Sequence, residues 1–452
     1  MRILVAPWGW PKNYGKSKYR IGEKLIPSKT STGALKKYFK PDHTFVIVQD
    51  SLAVYYPETF EAENYLKLSQ SLRNFLINDY FSNEEFLPDF SPKVDKILIA
   101  PNVGSFTNRD KNKPAKLTIK GKMSDYYYWA LYNLSRLIID KSIQTDELTL
   151  ILDTTHGQNF MLYLTFSALY NIAAILSLKF TNKIKLEIYN ADPYLEEATY
   201  LEINLVRELY PKFQMTLKFS PHGFLPLKVN KSTVSQEELK KLSKEIQSSF
   251  RTNEKLYKET FLPFLGAFTQ GIVHGVMHFF PPDTDDLEDT ICEFYNKKIQ
   301  LIPQGENHSM VVSRRLYFTE FFEALIYVRN LRTVMESIGI RKKEEVSLAE
   351  IRQWAEELYE EFPVVHARTL YELDDLKRKI IPQKVISEFN EWKSYGKCVA
   401  GINIHKRNFF AHAGFSENSI EVKKLDNDFQ IRFCKHAMSI ILNYLKETVS
   451  KS

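Results

Sequence analysis

Side chains able to carry out acid–base chemistry on a phosphodiester are concentrated in the stretch HKRNFFAHAG, residues 405–414. Imidazole titrates near neutral pH, and guanidinium is permanently charged and matches phosphate oxygens. The apolar spacing predicts a helix from about Val399 to Ala413, closed by Gly414. One flank of that helix is polar and contains Gly401, His405, Asn408 and His412. Arg407 points away from this flank. Such a flank could move protons on a phosphodiester, or it could simply face solvent.

A polar turn between a strand and a helix forms a second candidate site. The run Glu147–Asp153 has strand character, and helical spacing follows from Phe160 to about Leu178. The six residues between them are Thr154, Thr155, His156, Gly157, Gln158 and Asn159. Ligands of an open parallel sheet bind at the carboxyl ends of its strands. Gly157 would let a ligand approach the backbone, and the first helix amides would meet an anionic group. The alternative is a helix cap made by Thr154 or Thr155, without a ligand.

Five strand candidates alternate with helical stretches up to about residue 195, which predicts a parallel sheet covered on both faces. They are Ile3–Ala6, Thr44–Val48, Lys96–Ala100, Leu148–Asp153 and Lys185–Tyr189. Loops after the first and third strands would line the same crevice, with Trp8, Gly9, Trp10, Gly104 and Ser105. The two tryptophans could stack on a base or pack locally. The basic loop 109–122 could attract phosphate or form a solvated hairpin.

Helical spacing dominates from Phe261 onward and predicts an all-α C-terminal half. The predicted helices are Phe261–Phe279, Arg315–Ile338, Leu348–Glu361, Thr369–Lys379, Lys384–Ser394, Val399–Ala413 and Phe429–Glu447. His274 and His278 have a zinc-compatible i, i+4 spacing, but the glutamate of the metalloprotease motif is missing, and core or interface histidines are the better interpretation. We predict three segments: a Rossmann-like α/β domain over 1–198, a helical connector or small inserted domain over 199–260, and a helical domain over 261–452.

Arg407, Asn408 and His412 resemble the active-site motif of HEPN ribonucleases, in which arginine, a polar residue, three further residues and histidine follow one another. The turn from Asp153 to Asn159 is similar to the signature of CARF domains, which sense cyclic oligoadenylates. CARF followed by HEPN looks like the accessory ribonucleases of type III CRISPR systems. The resemblance implies that these three residues are catalytic in metal-independent cleavage of single-stranded RNA. It further implies that a cyclic oligoadenylate, foremost the tetra-adenylate, activates a homodimer or an assembly of dimers.

Composition limits the other possibilities. A chain of 452 residues with 44% hydrophobic residues forms two or three folded domains, and its net charge of +6 permits nucleic-acid contact without a concentrated basic footprint. The cysteines Cys292, Cys398 and Cys434 are few and widely spaced, which argues against a disulfide framework or a cysteine zinc site and predicts a reducing cytoplasm. No signal peptide precedes the first strand, and the apolar stretch Ile172–Leu178 is too short to span a bilayer.

Neither a dinucleotide fingerprint nor a P-loop lysine is present, which counts against NAD enzymes and NTPases, and we predict no cofactor. We also predict no metal, because no cluster of carboxylate, cysteine or histidine ligands lies near Arg407 and His412 in the sequence. Two other functions remain open. One is a nucleotide-regulated DNA-binding protein that reads DNA through residues 200–260, although that segment contains no basic recognition helix. The other is a sensor domain that itself degrades the cyclic messenger.

Overall fold

The structure, a computed structural model, describes the chain except for residues 82–93, 111–112, 181–182, 194–197, 221–222, 306–307, 381–390, 426–427 and 451–452. Lys111 of the basic loop and most of the predicted helix Lys384–Ser394 lie outside the described residues. The strands are β1 Arg2–Trp8, β2 Ser17–Ile21, β3 Lys24–Ser28, β4 His43–Gln49, β5 Lys96–Ala100, β6 Gly104–Asn108, β7 Ala115–Lys120, β8 Leu148–Asp153, β9 Ile184–Ala191, β10 Leu201–Leu209, β11 Leu227–Val229, β12 Ile299–Pro303, β13 Ser309–Arg314, β14 Leu316–Phe318, β15 Val346–Ser347, β16 Lys393–Ser394, β17 Ile420–Lys424 and β18 Phe429–Phe433.

The helices are α1 Ser31–Phe39, α2 Tyr65–Leu76, α3 Ser124–Ser142, α4 Asn159–Phe180, α5 Gln236–Phe250, α6 Asn253–Leu256, α7 Leu262–Thr269, α8 Val273–His278, α9 Asp285–Lys297, α10 Glu320–Ser337, α11 Leu348–Tyr359, α12 Pro363–Ile380, α13 Lys406–Ala411 and α14 Met438–Val449. The chain forms two compact units. The N-terminal unit comprises Met1–Phe213, Leu227–Gln247 and Asp286–Ile326, and the C-terminal unit comprises Gln214–Pro226, Ser248–Asp285 and Tyr327–Ser452.

An eight-stranded sheet in the order β3-β2-β10-β9-β8-β1-β4-β5 organises the N-terminal unit. All five predicted strands are present, and they pair with one another in parallel, in the order β9-β8-β1-β4-β5. The central strand β1 is covered on both faces, so Ile3, Leu4 and Val5 are fully buried. Because a parallel sheet is buried on both sides, its strands form continuous apolar runs, which is why the sequence predicted them. The Rossmann-like prediction is confirmed.

The N-terminal unit also contains segments that the predicted boundaries placed elsewhere. Leu201–Leu209, read from the sequence as the start of a charged helical connector, is β10 and pairs antiparallel with β9. Residues 286–326, which the predicted boundaries placed in the all-α C-terminal domain, supply β12 and β13 to a second sheet in the order β12-β13-β7-β6. Arg314 of β13 is fully buried and donates to the carbonyl oxygen of Asn102 at 2.7 Å. That contact ties the inserted strands to the loop after β5.

The helix α4 packs in the same unit, and its bounds, Asn159–Phe180, confirm the helix predicted from Phe160 to about Leu178. It runs for 22 residues and extends well beyond the apolar stretch Ile172–Leu178, which alone was judged too short to span a bilayer. By length and composition it is the one helix, among the described residues, that could cross a membrane, and 56% of the relevant window is buried inside the protein. Burial of this extent is typical of a core helix.

The C-terminal unit is mostly helical, as predicted, but it also contains an antiparallel sheet in the order β15-β18-β17-β16. The predicted helix Phe429–Glu447 is wrong in its first part, because Phe429–Phe433 forms β18 and the helix α14 begins at Met438. Phe429, Ile431 and Phe433 are buried while the residues between them are half-buried. This period of two belongs to a strand.

A disulfide joins Cys398 to Cys434 with an S–S distance of 2.00 Å. The sequence analysis argued against disulfides from the small number and wide spacing of the cysteines, and that prediction is wrong for this pair. Cys434 directly follows β18, and the fold brings the segment before α13 alongside it. Sequence spacing cannot reveal such proximity, because 36 residues separate the two cysteines.

Candidate active site and ligand turn

The helix with the predicted catalytic residues is shorter than the sequence suggested. α13 spans only Lys406–Ala411, with His405 at its N-cap and His412 at its C-cap. Residues 399–404 are not helical, since Gly401 adopts a left-handed φ of +77° within a turn. The predicted helix end at Ala413 is two residues late, since α13 ends at Ala411 and Ala413 has a left-handed φ of +47°. Gly414 does close the helix as predicted: it has a φ of +83°, and its amide donates to the carbonyl oxygen of Phe409 at 2.8 Å. This bond satisfies a carbonyl that the helix end would otherwise leave unpaired.

Several contacts within the C-terminal unit fix α13 and the segment before it. Phe409 is fully buried, and its ring lies 6.2 Å from that of Tyr444 on α14. The Tyr444 hydroxyl donates to the carbonyl oxygen of Ile404 at 2.6 Å, and Lys406 pairs with Glu447. α13 is too short to be stable alone, so these contacts supply its order.

An open pocket of about 360 Å³ lies beside α13. His405, Asn408 and His412 line it together, as the predicted flank requires, and Arg407 does not. Gly401, predicted on the same flank, does not line it, because the helix begins only after that residue. The opposite wall comes from α12, which sequence reasoning did not connect with the site.

Glu372 of α12 forms the closest polar contact to the predicted catalytic histidine. Its Oε2 lies 2.7 Å from Nδ1 of His412. The glutamate side chain is only 12% exposed, whereas that of the histidine is 42% exposed and open to the pocket. Nothing in the sequence indicated this pairing, because the two residues are 40 positions apart on different helices.

The hydroxyls of the Thr154–Asn159 turn are already engaged within the protein. Thr154 donates to the carbonyl oxygen of Tyr189 at 2.9 Å, and the Thr155 hydroxyl accepts from the amide of Ala191 at 3.0 Å. Both bonds lie between the turn and β9. Thr154 and Thr155 therefore shape the turn, a role that neither the ligand interpretation nor the simple cap interpretation anticipated.

His156 is held in place by residues that the sequence analysis did not single out. Its Nε2 accepts from the amide of Ser31 at 3.1 Å, and its ring stacks on Tyr14 with centroids 4.2 Å apart. Burial lowers the pKa of His156 and keeps the ring neutral. Asp153 accepts from Ser31 and Thr32 at the start of α1, at 2.7 and 2.6 Å. The turn is thus clamped to the N-terminus of α1.

Close contacts within the protein leave no room for a side chain at position 157. A Cβ at this position would lie 2.6 Å from Leu162 Cδ2 and 3.0 Å from Pro7 Cβ. Packing against Pro7 therefore explains the glycine without a ligand, which corrects the expectation that Gly157 serves ligand approach. Gln158 and Asn159 are exposed, and the Oε1 of Gln158 accepts from Gln49 at 3.1 Å.

Only one of the two tryptophans that could stack on a base is accessible. Trp8 is fully buried, donates to the Thr32 hydroxyl at 2.8 Å and stacks on Phe81, so it belongs to the core and cannot stack on a base. Trp10 is half-buried and stacks on Tyr55 with ring centroids 3.8 Å apart. Trp8 is the last residue of β1 and Trp10 follows the strand, and both large rings stack on other aromatic side chains of the protein.

Three smaller residues complete the predicted crevice. The amide of Gly9 donates to the carbonyl oxygen of His156 at 2.7 Å, which joins the loop after β1 to the turn. Gly104 adopts a φ of +145° at the start of β6, and the exposed Ser105 lies 3.3 Å from the Thr118 hydroxyl, oxygen to oxygen. Gly9 therefore adjoins the turn, whereas Gly104 and Ser105 belong to the second sheet.

Comparison with known proteins finds two family models that match separate parts of the chain. The family model for the CARF domain of the CRISPR system endoribonuclease Csx1 matches residues 3–193, and the model for the HEPN domain of Csx1 matches residues 362–446. The chain therefore has a CARF domain and a HEPN domain of the kind found in Csx1. The CRISPR system endoribonuclease Csx1 of Methanocaldococcus jannaschii is 28% identical over 437 residues, which cover 93% of this chain and 86% of the relative.

Among solved structures, Enterococcus italicus Csm6 bound to cyclic hexa-2′-fluoro-hexa-dAMP matches with 9% identity and a TM-score of 0.23, covering 99% of this chain and 94% of that chain. The Csx1 CARF match contains all five parallel strands and the Thr154–Asn159 turn. The Csx1 HEPN match contains both Glu372 and His412. The predicted family and its order of domains are confirmed.

Proposed function

We propose that this CARF–HEPN chain is an endoribonuclease that cuts single-stranded RNA without a metal ion and is activated by a cyclic oligoadenylate. The observation that carries the proposal is the pocket beside α13. There Asn408 and His412 of the HEPN motif face an open volume, and the half-buried carboxylate of Glu372 holds the histidine. An imidazole kept in one orientation next to space for a nucleotide is suited to proton transfer.

The chemistry that fits this site uses the RNA as its own nucleophile. The 2′-hydroxyl attacks the adjacent phosphorus while His412 moves or positions the proton. Arg407 stabilises the charge that develops on the phosphate, and Asn408 orients either the phosphate or His412. Among the described residues, no group of three or more histidine, cysteine, aspartate or glutamate side chains could hold a metal ion. Attack by the 2′-hydroxyl needs none.

The activator would bind at the carboxyl edge of the parallel strands in the N-terminal unit. Gln158 and Asn159 are exposed there, at the start of α4, where unpaired helix amides favour an anionic phosphate. Gly9 and Trp10 adjoin the same turn. Thr154, Thr155 and His156 contribute by fixing its shape. We propose cyclic tetra-adenylate as the ligand, because a two-fold ring suits two identical turns.

A homodimer would bring two such turns together. The outer side of α4 has an aromatic surface: Tyr163 is 69% exposed, and Phe166 and Tyr170 are half-buried. A row of aromatic side chains on a helix that begins at the ligand turn is suited to burial against a second copy of the chain. The same symmetry would pair two α13 helices, so that Arg407 and His412 of different protomers could act on one phosphate.

One experiment separates the three functions that the sequence left open. The protein is incubated with labelled single-stranded RNA, duplex DNA and cyclic tetra-adenylate, with His412→Ala as the control. We expect RNA fragments that increase with the cyclic ligand and vanish in the variant. Binding of DNA without RNA cleavage would favour the regulator, and loss of the ring without RNA cleavage would favour a sensor that degrades its messenger.

A further inference from the structure

We propose that Glu372 is a positioning residue for His412, which it holds in the one neutral form that presents Nε2 to the RNA. This inference rests on the proposed ribonuclease function and names the atom that receives the proton. A carboxylate can only accept hydrogen bonds, so at 2.7 Å from Nδ1 it selects the imidazole with hydrogen on that nitrogen. The other nitrogen of a neutral ring then has a free lone pair.

The backbone at both Glu372 and His412 is held in place by the surrounding structure. Glu372 lies within the 18-residue helix α12, between the buried residues Thr369, Leu373 and Leu376. His412 closes α13, whose end is fixed by the bond from Gly414 to Phe409. Because neither backbone segment is a free loop, the hydrogen bond can hold the ring orientation during a reaction.

A second carboxylate lines the pocket and interacts electrostatically with His412, but its hydrogen bond is made to a lysine. Asp375, one turn along α12, accepts from Lys379 Nζ at 2.7 Å. Arg368, on the preceding turn of α12, and Lys379 both interact electrostatically with Glu372. The remaining charged and titratable groups that line the pocket are Tyr395, His405 and Glu417. Only Glu372 makes the hydrogen bond to His412 in the part of the chain that the structure describes.

The resulting step is balanced as follows. The 2′-oxygen forms a bond to phosphorus, and its proton passes to Nε2 of His412. The bond between phosphorus and the 5′-oxygen breaks, and the leaving oxygen takes a proton from water. The products are a 2′,3′-cyclic phosphate and a 5′-hydroxyl, and the imidazolium then returns its proton to solvent.

The test compares Glu372→Ala and Glu372→Gln with Asp374→Ala as a matched control. Asp374 is an exposed acid two residues along the same helix that pairs with Arg352 outside the pocket. We expect Glu372→Ala to lower kcat on the order of 100-fold while KM stays within about 2-fold, since general-base catalysis is worth this much. Glu372→Gln, whose amide oxygen still accepts, should lose less, and Asp374→Ala should match the wild type.

A second readout does not depend on RNA cleavage. ¹⁵N-NMR of histidine-labelled protein, with the His412 signals assigned from their loss in His412→Ala, reports which ring nitrogen has the hydrogen. We expect hydrogen on Nδ1 in the wild type and a shift toward Nε2 in Glu372→Ala. Equal rates in Glu372→Ala and Asp374→Ala, or hydrogen on Nε2 in the wild type, would overturn the inference. A protein with the expected ring form but no RNA cleavage would instead refute the proposed function alone.

Discussion

Gly414 packs directly against His274. A Cβ at position 414 would lie 2.7 Å from Cε1 of the histidine ring and 2.8 Å from Cγ2 of Ile272. His274 is almost fully buried beside Phe415 and Phe433, and within the described part of the chain neither of its ring nitrogens has a hydrogen-bond partner. It is therefore a core histidine, as interpreted from the sequence, and it supports the segment that follows α13.

This contact predicts that Gly414→Ala destabilises the protein. The substitution combines an unfavourable φ of +83° with a steric clash, so we expect a loss of about 3 kcal/mol in the free energy of unfolding, together with lower RNase activity. Gly401→Ala is the control, because that glycine has a φ of +77° but no atom within 4 Å of a new Cβ. It should lose about 1 kcal/mol. Equal losses in denaturant unfolding would show that the clash is relieved without cost.

The burial of His274 predicts acid sensitivity. Burial lowers its pKa to about 3 from the usual value of 6.5. The unfolded chain therefore binds a proton that the folded chain refuses, and stability is lost as the pH falls below 6.5. Between pH 6.5 and pH 5 the loss from this residue is about 2 kcal/mol. In His274→Phe, the free energy of unfolding should fall less steeply over that range. An unchanged slope would assign the acid sensitivity to other groups, His278 first.

Asn159→Asp tests the ligand turn without weakening the fold. An acidic residue at the start of α4 suits the helix dipole, so stability should stay the same or rise by a few tenths of a kcal/mol. The new charge should repel an anionic ligand and weaken cyclic tetra-adenylate binding, measured by calorimetry, by 10-fold or more. Asn159→Ala is the uncharged comparison. Unchanged affinity in the aspartate variant would remove this turn from the ligand site. A larger side chain at Gly157 does not provide such a test, because it would collide with Leu162 and Pro7.

A composite active site predicts dominant interference between subunits. Arg407 and His412 are five residues apart and do not face the same pocket. We expect an excess of Arg407→Ala/His412→Ala chains, mixed with wild type under conditions of subunit exchange, to suppress cleavage well below simple dilution. Activity that follows only the fraction of wild-type chains would mean that each subunit cuts alone.

Metal independence predicts that cleavage survives EDTA. The upstream products should end in a 2′,3′-cyclic phosphate or a 3′-phosphate, since the nucleophile is the RNA's own hydroxyl. Mass spectrometry of the fragments distinguishes these ends from 3′-hydroxyls. Strict dependence on added magnesium, or 3′-hydroxyl ends, would contradict the proposed chemistry.

Features that depend on residues close together in the sequence could be predicted, whereas contacts between residues far apart in the sequence could not. The five parallel strands were evident because a strand such as Ile3–Val5 is apolar throughout. The pairing of Glu372 with His412 and the disulfide were hidden, since each joins residues 36 or more positions apart. Trp8 and Gly157 were misread for a related reason. A large aromatic side chain, or a glycine without a side chain, fits a ligand crevice and a packed interior equally well. Only the neighbouring residues in the fold decide between these two environments.

The disulfide restrains one wall of the pocket beside α13 but not the other. Cys398 anchors the wall that runs from Tyr395 to His405 to the end of β18, whereas Glu372 stands on α12, which has no cysteine. Reduction of the disulfide would remove this tie to β18 and leave α12 unchanged. The reductant in an assay buffer therefore affects one wall of the pocket and not the other.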